Sequence, residues 1–246
     1  VTDPDTSSTR RTFLRTSVGA ATIGVAGCRT APGEGNGNGD GNGNGDGNGN
    51  GDGNGNGDGN GNGGSEGPLL AEGFESGMDG WTTHSHIGPE EPQSAFEWEI
   101  TRSETEAAAG DWSIEVFTEG DHDDGTAWVT TELSVPDDAQ SFSGSVSAWS
   151  ASESFNTLRN LVVYLGPEEP TAEEDFADPG MNSSAVPDAP AGGLREPLHL
   201  AEGWREYTFE WDPESVPDTL YFAAGVTVIW EADATHYLDA FEVDVE

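Results

Sequence analysis

The sequence predicts an all-β domain over residues 68–246, two antiparallel sheets packed face to face as a β-sandwich, preceded by a disordered tether. Three observations carry this. Several runs alternate apolar and polar residues with a period of two, which turns one face of an extended strand inward and the other outward. All eight tryptophans fall after residue 68, so this is the part that can build a substantial core. No stretch of it shows a convincing amphipathic helix.

In chain order, Phe96, Trp98 and Ile100 share one face of SAFEWEI, and Trp112, Ile114 and Val116 share one face of DWSIEV. TAWVTTELSV (126–135), SFSGSVSAWS (141–150) and LRNLVVYLG (158–166) follow as strand candidates. After a long break, Tyr207, Phe209 and Trp211 line one face of REYTFEW, and TLYFAAGVTVIW (219–230) and HYLDAFEVDV (236–245) close the series. Pro-Asp, Asp-Asp and glycine-containing breaks separate the runs. About nine or ten strands in roughly 180 residues is the content of two packed sheets, with apolar side chains between them and acids outside. Asp212-Pro213-Glu214-Ser215 is expected to make one short helical turn. The segment 167–193, rich in Pro, Ala, Glu and Asp, exceeds the usual loop length and is expected to be either a mobile excursion or a lid. It holds the sequon Asn182-Ser183-Ser184, which makes Asn182 the candidate glycosylation site.

Upstream, residues 1–27 read as an export signal. Arg10 and Arg11 precede Thr12-Phe13-Leu14-Arg15 and an uncharged run from Thr16 to Gly27, too short for the roughly 20 residues a membrane-spanning helix needs. Paired arginines there are the mark of twin-arginine export of folded proteins. Residues 28–67 then form a linker. Its core is four copies of GNGNGD and a fifth ending GNGNGG over residues 35–64, with no apolar area to offset an ordering cost of roughly 1–2 kcal/mol per residue. A flexible chain of this length spans about 30 Å. A calcium-binding β-roll needs a nine-residue period with an apolar position, which these six-residue repeats lack.

Charge bounds the function further. The 47 acidic residues against 8 basic ones give a net charge of −39, and there is no lysine. Such density is tolerable where salt shortens the Debye length to roughly 3 Å, near 1 M, and points to an extreme halophile. Nucleic acid is excluded as a partner, because phosphate binding needs clusters of arginine and lysine.

Val25-Ala26-Gly27-Cys28 resembles a lipoprotein processing box. That resemblance implies cleavage before Cys28 and lipid on its thiol, hence a membrane anchor on the outer face of the cell. The whole layout resembles a haloarchaeal lipoprotein. Gly73-Phe74-Glu75-Ser76-Gly77 leading to Trp81, Gly110-Asp111-Trp112-Ser113-Ile114-Glu115-Val116, Gly203-Trp204-Arg205-Glu206-Tyr207-Thr208-Phe209 and Tyr237-Leu238-Asp239-Ala240-Phe241-Glu242-Val243 together resemble the jelly-roll carbohydrate-binding modules, the galactose-binding-like β-sandwiches. The resemblance implies a structural calcium ion (Ca2+) at the matching positions Glu75 and Asp239, with Asp111, since calcium takes six to eight oxygen ligands. Asp239 interrupts an apolar strand beginning, so if buried it must be paired or metal-bound. Otherwise it faces solvent like its neighbours.

Other candidates come from residue chemistry. Trp128, Trp149, Tyr164 and Trp230 lie in central strands, where rings not used by the core would stack on a sugar. Arg159, Asn156, Asn160 and Glu231 nearby would bond its hydroxyls. Asp121-His122-Asp123-Asp124-Gly125 lacks the full pattern of a calcium loop and reads as a solvated turn. His84 and His86 would point to one side of a strand, but a zinc site needs a third ligand such as His122, with no spacing to suggest convergence. Neither a serine nucleophile elbow nor a metalloprotease helix occurs. The function expected is a cell-surface lipoprotein whose non-catalytic sandwich binds a polysaccharide or envelope glycoprotein. Two alternatives stand beside it, a structural or protein-interaction domain of the envelope and a glycoside hydrolase or polysaccharide lyase. The last needs a carboxylate pair that so acidic a chain hides.

Overall fold

The strands are β1 (Leu70–Glu72), β2 (Thr82–His86), β3 (Trp98–Ser103), β4 (Ser113–Thr118), β5 (Gly125–Ser134), β6 (Phe142–Ser150), β7 (Asn160–Gly166), β8 (Gly192–Pro197), β9 (Gly203–Trp211), β10 (Thr219–Val228) and β11 (Ala234–Val245). They are seen in a computed structural model that describes residues 67–89, 92–122, 125–150, 159–198, 203–228 and 232–246. Arg10, Arg11, Cys28, the glycine repeats, Asp123, Asp124, Asn156, Trp230 and Glu231 lie outside the described residues.

The folding rule is plain in β6. Phe142, Gly144, Val146, Ala148 and Ser150 are buried, while Ser143, Ser145, Ser147 and Trp149 on the alternate face are partly exposed. Repeated along the chain, this pattern builds two antiparallel sheets around one core. The front sheet runs β2-β5-β10-β7-β8, and the back sheet runs β3-β4-β11-β6-β9, with β1 also paired to β11. The domain is therefore the two-sheet antiparallel sandwich expected. Phe74, Trp81, Phe222 and Phe241 interlock at its centre with ring centroids 5.1–6.2 Å apart. Phe96, Ile114, Val116, Phe209 and Trp211 fill the inner faces as their alternation predicts.

One bulge shapes the back sheet. Asp239 pairs with Ser147 but Glu242 pairs with Ser145, so β11 carries one extra residue, absorbed by Ala240 at φ 50°. Before the bulge β11 pairs with β4, and after it with β1.

Three strands differ from the expectation. β1 and β2 are short or lack apolar alternation, and β8 begins Gly192-Gly193 and ends at Pro197, a composition that argues against a strand. β8 survives as an edge strand that tertiary pairing holds. Residues 212–213 are irregular and 214–215 a bend, rather than the helical turn expected. Short 3-10 turns lie instead at Gln93–Ala95, Glu173–Asp175 and Ser183–Ala185.

Candidate functional site

The outer face of the front sheet gathers the densest chemistry among the described residues. Register places His84, Trp128, Gly225, Val162 and Arg195 in one row across the five strands. His86, Thr126, Thr227 and Asn160 form the next row, and Thr130, Ala223, Tyr164 and Gly193 the row on the other side. Trp128 stacks on His84 with centroids 5.5 Å apart. Gly225 lets β10 lie close against β5 here, because a Cβ there would run into Ala127 O and the Trp128 Cα and Cβ.

This face is roofed. Residues 167–191 cross it as a strap, putting Phe176 edge-on to Trp128 at 5.5 Å and to Tyr164 at 6.2 Å. Beneath the roof Glu173 Oε1 lies 2.5 Å from Arg195 Nη2, both residues at least nine-tenths buried. Thr126 Oγ1 donates to Glu173 Oε2 at 3.3 Å. His84 Nε2 stands 3.3 Å from Glu169 Oε1, an ion-pair distance without hydrogen-bond alignment. The strap then ties into both sheets. Gly180 N donates to Arg195 O and Arg195 N to Met181 O, extending β8, while Ser183 Oγ donates to Glu210 O and Glu210 N to Ser184 Oγ on β9. The long segment is thus a packed cover for two sheet edges and one sheet face.

Several polar atoms under it are buried without a hydrogen-bond partner: Trp128 Nε1, Thr130 Oγ1, Thr227 Oγ1, His86 Nδ1 and Arg195 Nε. Leaving such a group unpaired costs about 1–3 kcal/mol. Beside them a hollow of about 310 Å³ opens between Tyr164, Phe176, Asp175, Met181 and Gly193. Burial, with the charges of Asp175 and Glu168 alongside, pushes the Tyr164 phenol up from 10.0, so it stays protonated through neutral pH.

The expected metal residues serve as caps for a turn. Glu75 Oε1 accepts from Asp111 N at 2.8 Å and Trp112 N at 3.0 Å. Fully buried Asp239 accepts from Ala108 N at 2.8 Å, Ala109 N at 3.0 Å and Ala240 N at 2.6 Å. Asp111 thus contributes its backbone N–H to Glu75. Gly110 at φ +68° leaves the room Glu75 fills. These carboxylates face N–H donors where a calcium ion would require carbonyl or carboxylate oxygens. Among the described residues no group of three or more His, Cys, Asp or Glu is arranged to hold a metal.

The expected sugar-binding residues separate. Trp128 and Tyr164 share the front face, Trp149 lies on the outer face of the back sheet, and Trp230 is outside the described residues. Arg159 is buried at one end of the sandwich, where its guanidinium donates to Thr118 Oγ1 and to Ala232 O, which ties β4 to the segment before β11. Both amide hydrogens of Asn182 are donated, to Glu196 Oε1 and Thr208 O, each at 3.0 Å. His122 pairs with Glu119 at 2.9 Å. Glu173, Phe176 and Arg195 were not among the expected site residues. Their signal was Phe176, the only aromatic between Tyr164 and Trp204, which needs a surface to bury it.

The described domain is a β-sandwich resembling known carbohydrate-binding modules. It is similar to a promiscuous carbohydrate-binding module of the β-sandwich superfamily (18% identity, TM-score 0.45), matching over 70% of this chain and 60% of that one. It is also similar to a family 61 module in complex with β-1,4-galactotriose (13% identity, 71% and 94% covered, TM-score 0.40). A third is the CBM22-1 xylan-binding domain from Paenibacillus barcinonensis (15% identity, 72% and 94% covered, TM-score 0.38). No protein-family model and no curated protein matches the chain. The likeness concerns layout, and the fold assignment rests on the strand pairing itself.

Proposed function

We propose that this is a cell-surface lipoprotein whose non-catalytic sandwich binds a glycan on the outer face of the front sheet. Arg10, Arg11 and Cys28 support export and lipid anchoring, and the net charge of −39 supports work in molar salt. The observation that carries the glycan reading is the set of buried, unpartnered polar atoms around Trp128 and Tyr164. A hydroxyl-rich ligand that displaces Phe176 would stack on the two rings and pair those atoms. The strap has to lift for this to happen, so binding is slower than to an open face.

Thr227→Val tests the reading, because it removes one unpaired hydroxyl while keeping the shape. In molar salt the full chain carrying it keeps or gains thermal stability. Its affinity on a glycan array falls about tenfold, the effect of one lost hydrogen bond of roughly 1.4 kcal/mol. Unchanged affinity in the variant would remove Thr227 from the site. A wild-type array with no binding would favour a structural role at the envelope.

A further inference from the structure

We propose a second glycan-contact surface, on the outer face of the back sheet, that takes a linear uncharged polysaccharide along β6. It is independent of the front face. Register puts Tyr237, Trp149 and Trp204 side by side on β11, β6 and β9. Tyr237 packs edge-on to Trp149 at 5.3 Å and is buried, while both tryptophans are partly exposed and outside the core. An aromatic strip is thereby open at a sheet surface, backed by a third ring that fixes its orientation.

From Trp149 the outward side chains of β6 become small: Ser147, Ser145 and Ser143. Their neighbours on the flanking strands are larger, Glu206, Thr208 and Glu210 on β9 and Glu242 and Asp244 on β11, while the β11 neighbour of Ser147 is the buried Asp239. Small residues between larger ones make a trough, seen as a hollow of about 290 Å³ bounded by Ser143, Ser145, Thr208, Glu210, Glu242 and Asp244. The hollow lies at the Ser143–Ser145 end, bordered also by Ser184, and the row of outward β6 side chains from there to Trp149 is about 20 Å long at the usual rise per residue, the length of several sugar rings. Its chemistry selects the occupant. Serine and threonine hydroxyls donate to and accept from sugar hydroxyls, the carboxylates accept from them, the tryptophan pair covers an apolar sugar face, and the flanking acids repel an anionic chain.

The experiment titrates the full chain in molar KCl with soluble xylan and, in a parallel arm, with an anionic polysaccharide, alginate. Tryptophan fluorescence and precipitation are read together. Wild-type protein binds xylan and leaves alginate unbound; where the front face binds as well, two faces on one module cross-link the polymer and precipitate it. Trp149→Ala and Trp204→Ala each weaken the binding component assigned to this face by tenfold or more, as loss of a central aromatic contact does. Where the front face binds, both abolish precipitation while one binding component stays. Ser145→Arg fills the trough from a surface position and gives the same loss with the thermal transition intact, which guards against misfolding of the tryptophan variants. Precipitation and isotherms unchanged in folded Trp149→Ala and Ser145→Arg proteins overturn the proposal, as does xylan that fails to bind the wild type. Thr227→Val, by contrast, weakens the other component alone, about tenfold, if the front face binds, so failure of one face is distinguishable from failure of the other.

Discussion

The two outer faces of the sandwich begin from the same strand alternation and end in opposite states. On the front sheet the outward residues beneath the strap include Thr126, Thr130, Thr227, Trp128 and Tyr164, all buried, with polar atoms left unpaired. On the back sheet Ser143, Ser145 and Ser147 of β6, Glu206 and Glu210 of β9 and Glu242 and Asp244 of β11 stand partly or fully exposed. What differs is one loop of the chain, which the buried Glu173–Arg195 pair, the hydrogen bonds to β8 and β9 and the packing of Phe176 hold over the front sheet. Outward alternation therefore fixes where a side chain points, and the connection crossing the sheet decides whether that direction is solvent. The same contrast explains the residue types. β-branched threonine suits a pleated surface that is covered, while serine and glutamate suit one that is hydrated in salt.

The largest expected effect comes from removing the anchor. Arg195→Met removes the guanidinium from the buried Glu173 carboxylate, a change worth up to about 3–5 kcal/mol. Hydrogen exchange in molar salt should show amides across 167–191 losing protection, with the back sheet unaffected. Adding Glu173→Leu should restore most of the protection, because no orphan charge is left. Equal loss of protection in both sheets would mean that the strap and the sandwich are one cooperative unit, and the contrast between the faces would disappear.

A smaller effect is expected on the back-sheet side, at the turn capped by Glu75. Glu75→Ala removes the acceptor of two N–H groups at an exposed position, so about 1 kcal/mol is expected, read as a lower melting temperature. Since the N–H groups already satisfy Glu75 and Asp239, a calcium chelator should leave the wild-type transition in place. A chelator-dependent drop would instead mean that a cation replaces these contacts, and the calcium expected from the sequence would stand.

The sequence made the inward faces legible because burial enforces a strict period of two there, as in Phe142 to Ala148 and Tyr207 to Trp211. It hid β8, where Gly192, Gly193 and Pro197 deny strand propensity and only pairing with β7 and the strap supplies the structure. Trp128 and Tyr164 were visible as surplus aromatics, yet their roof was not. Phe176, Glu173 and Arg195 are separated from them by tens of residues, and no local periodicity records a contact made across a loop. Arg159 misled for the same reason. Its place beside Asn160 suggested the sugar face, but the chain turns there and sends the guanidinium to Thr118 and Ala232.

The smallest effect is a matter of sign, at Asp239. Burial raises its carboxyl above the ordinary 3.8, the three backbone N–H bonds oppose that rise, and the charge of Glu75 adds to it. Above the folded-state value the ionised group disfavours the native state. As pH falls through that value toward 3.8, the folded protein takes up a proton that the unfolded chain does not yet bind, and this contribution turns in favour of folding. Below 3.8 both states are protonated and the contribution is level. An Asp239→Asn protein has no such titration. Denaturant melts of the two proteins, run in molar salt at a series of pH values, cancel the other carboxylates. The wild type should gain on the Asn variant as pH drops from neutral toward 4. A wild type that instead loses ground over this range would mean that the N–H cradle outweighs burial, and that Asp239 belongs electrostatically with the exposed acids of the back face.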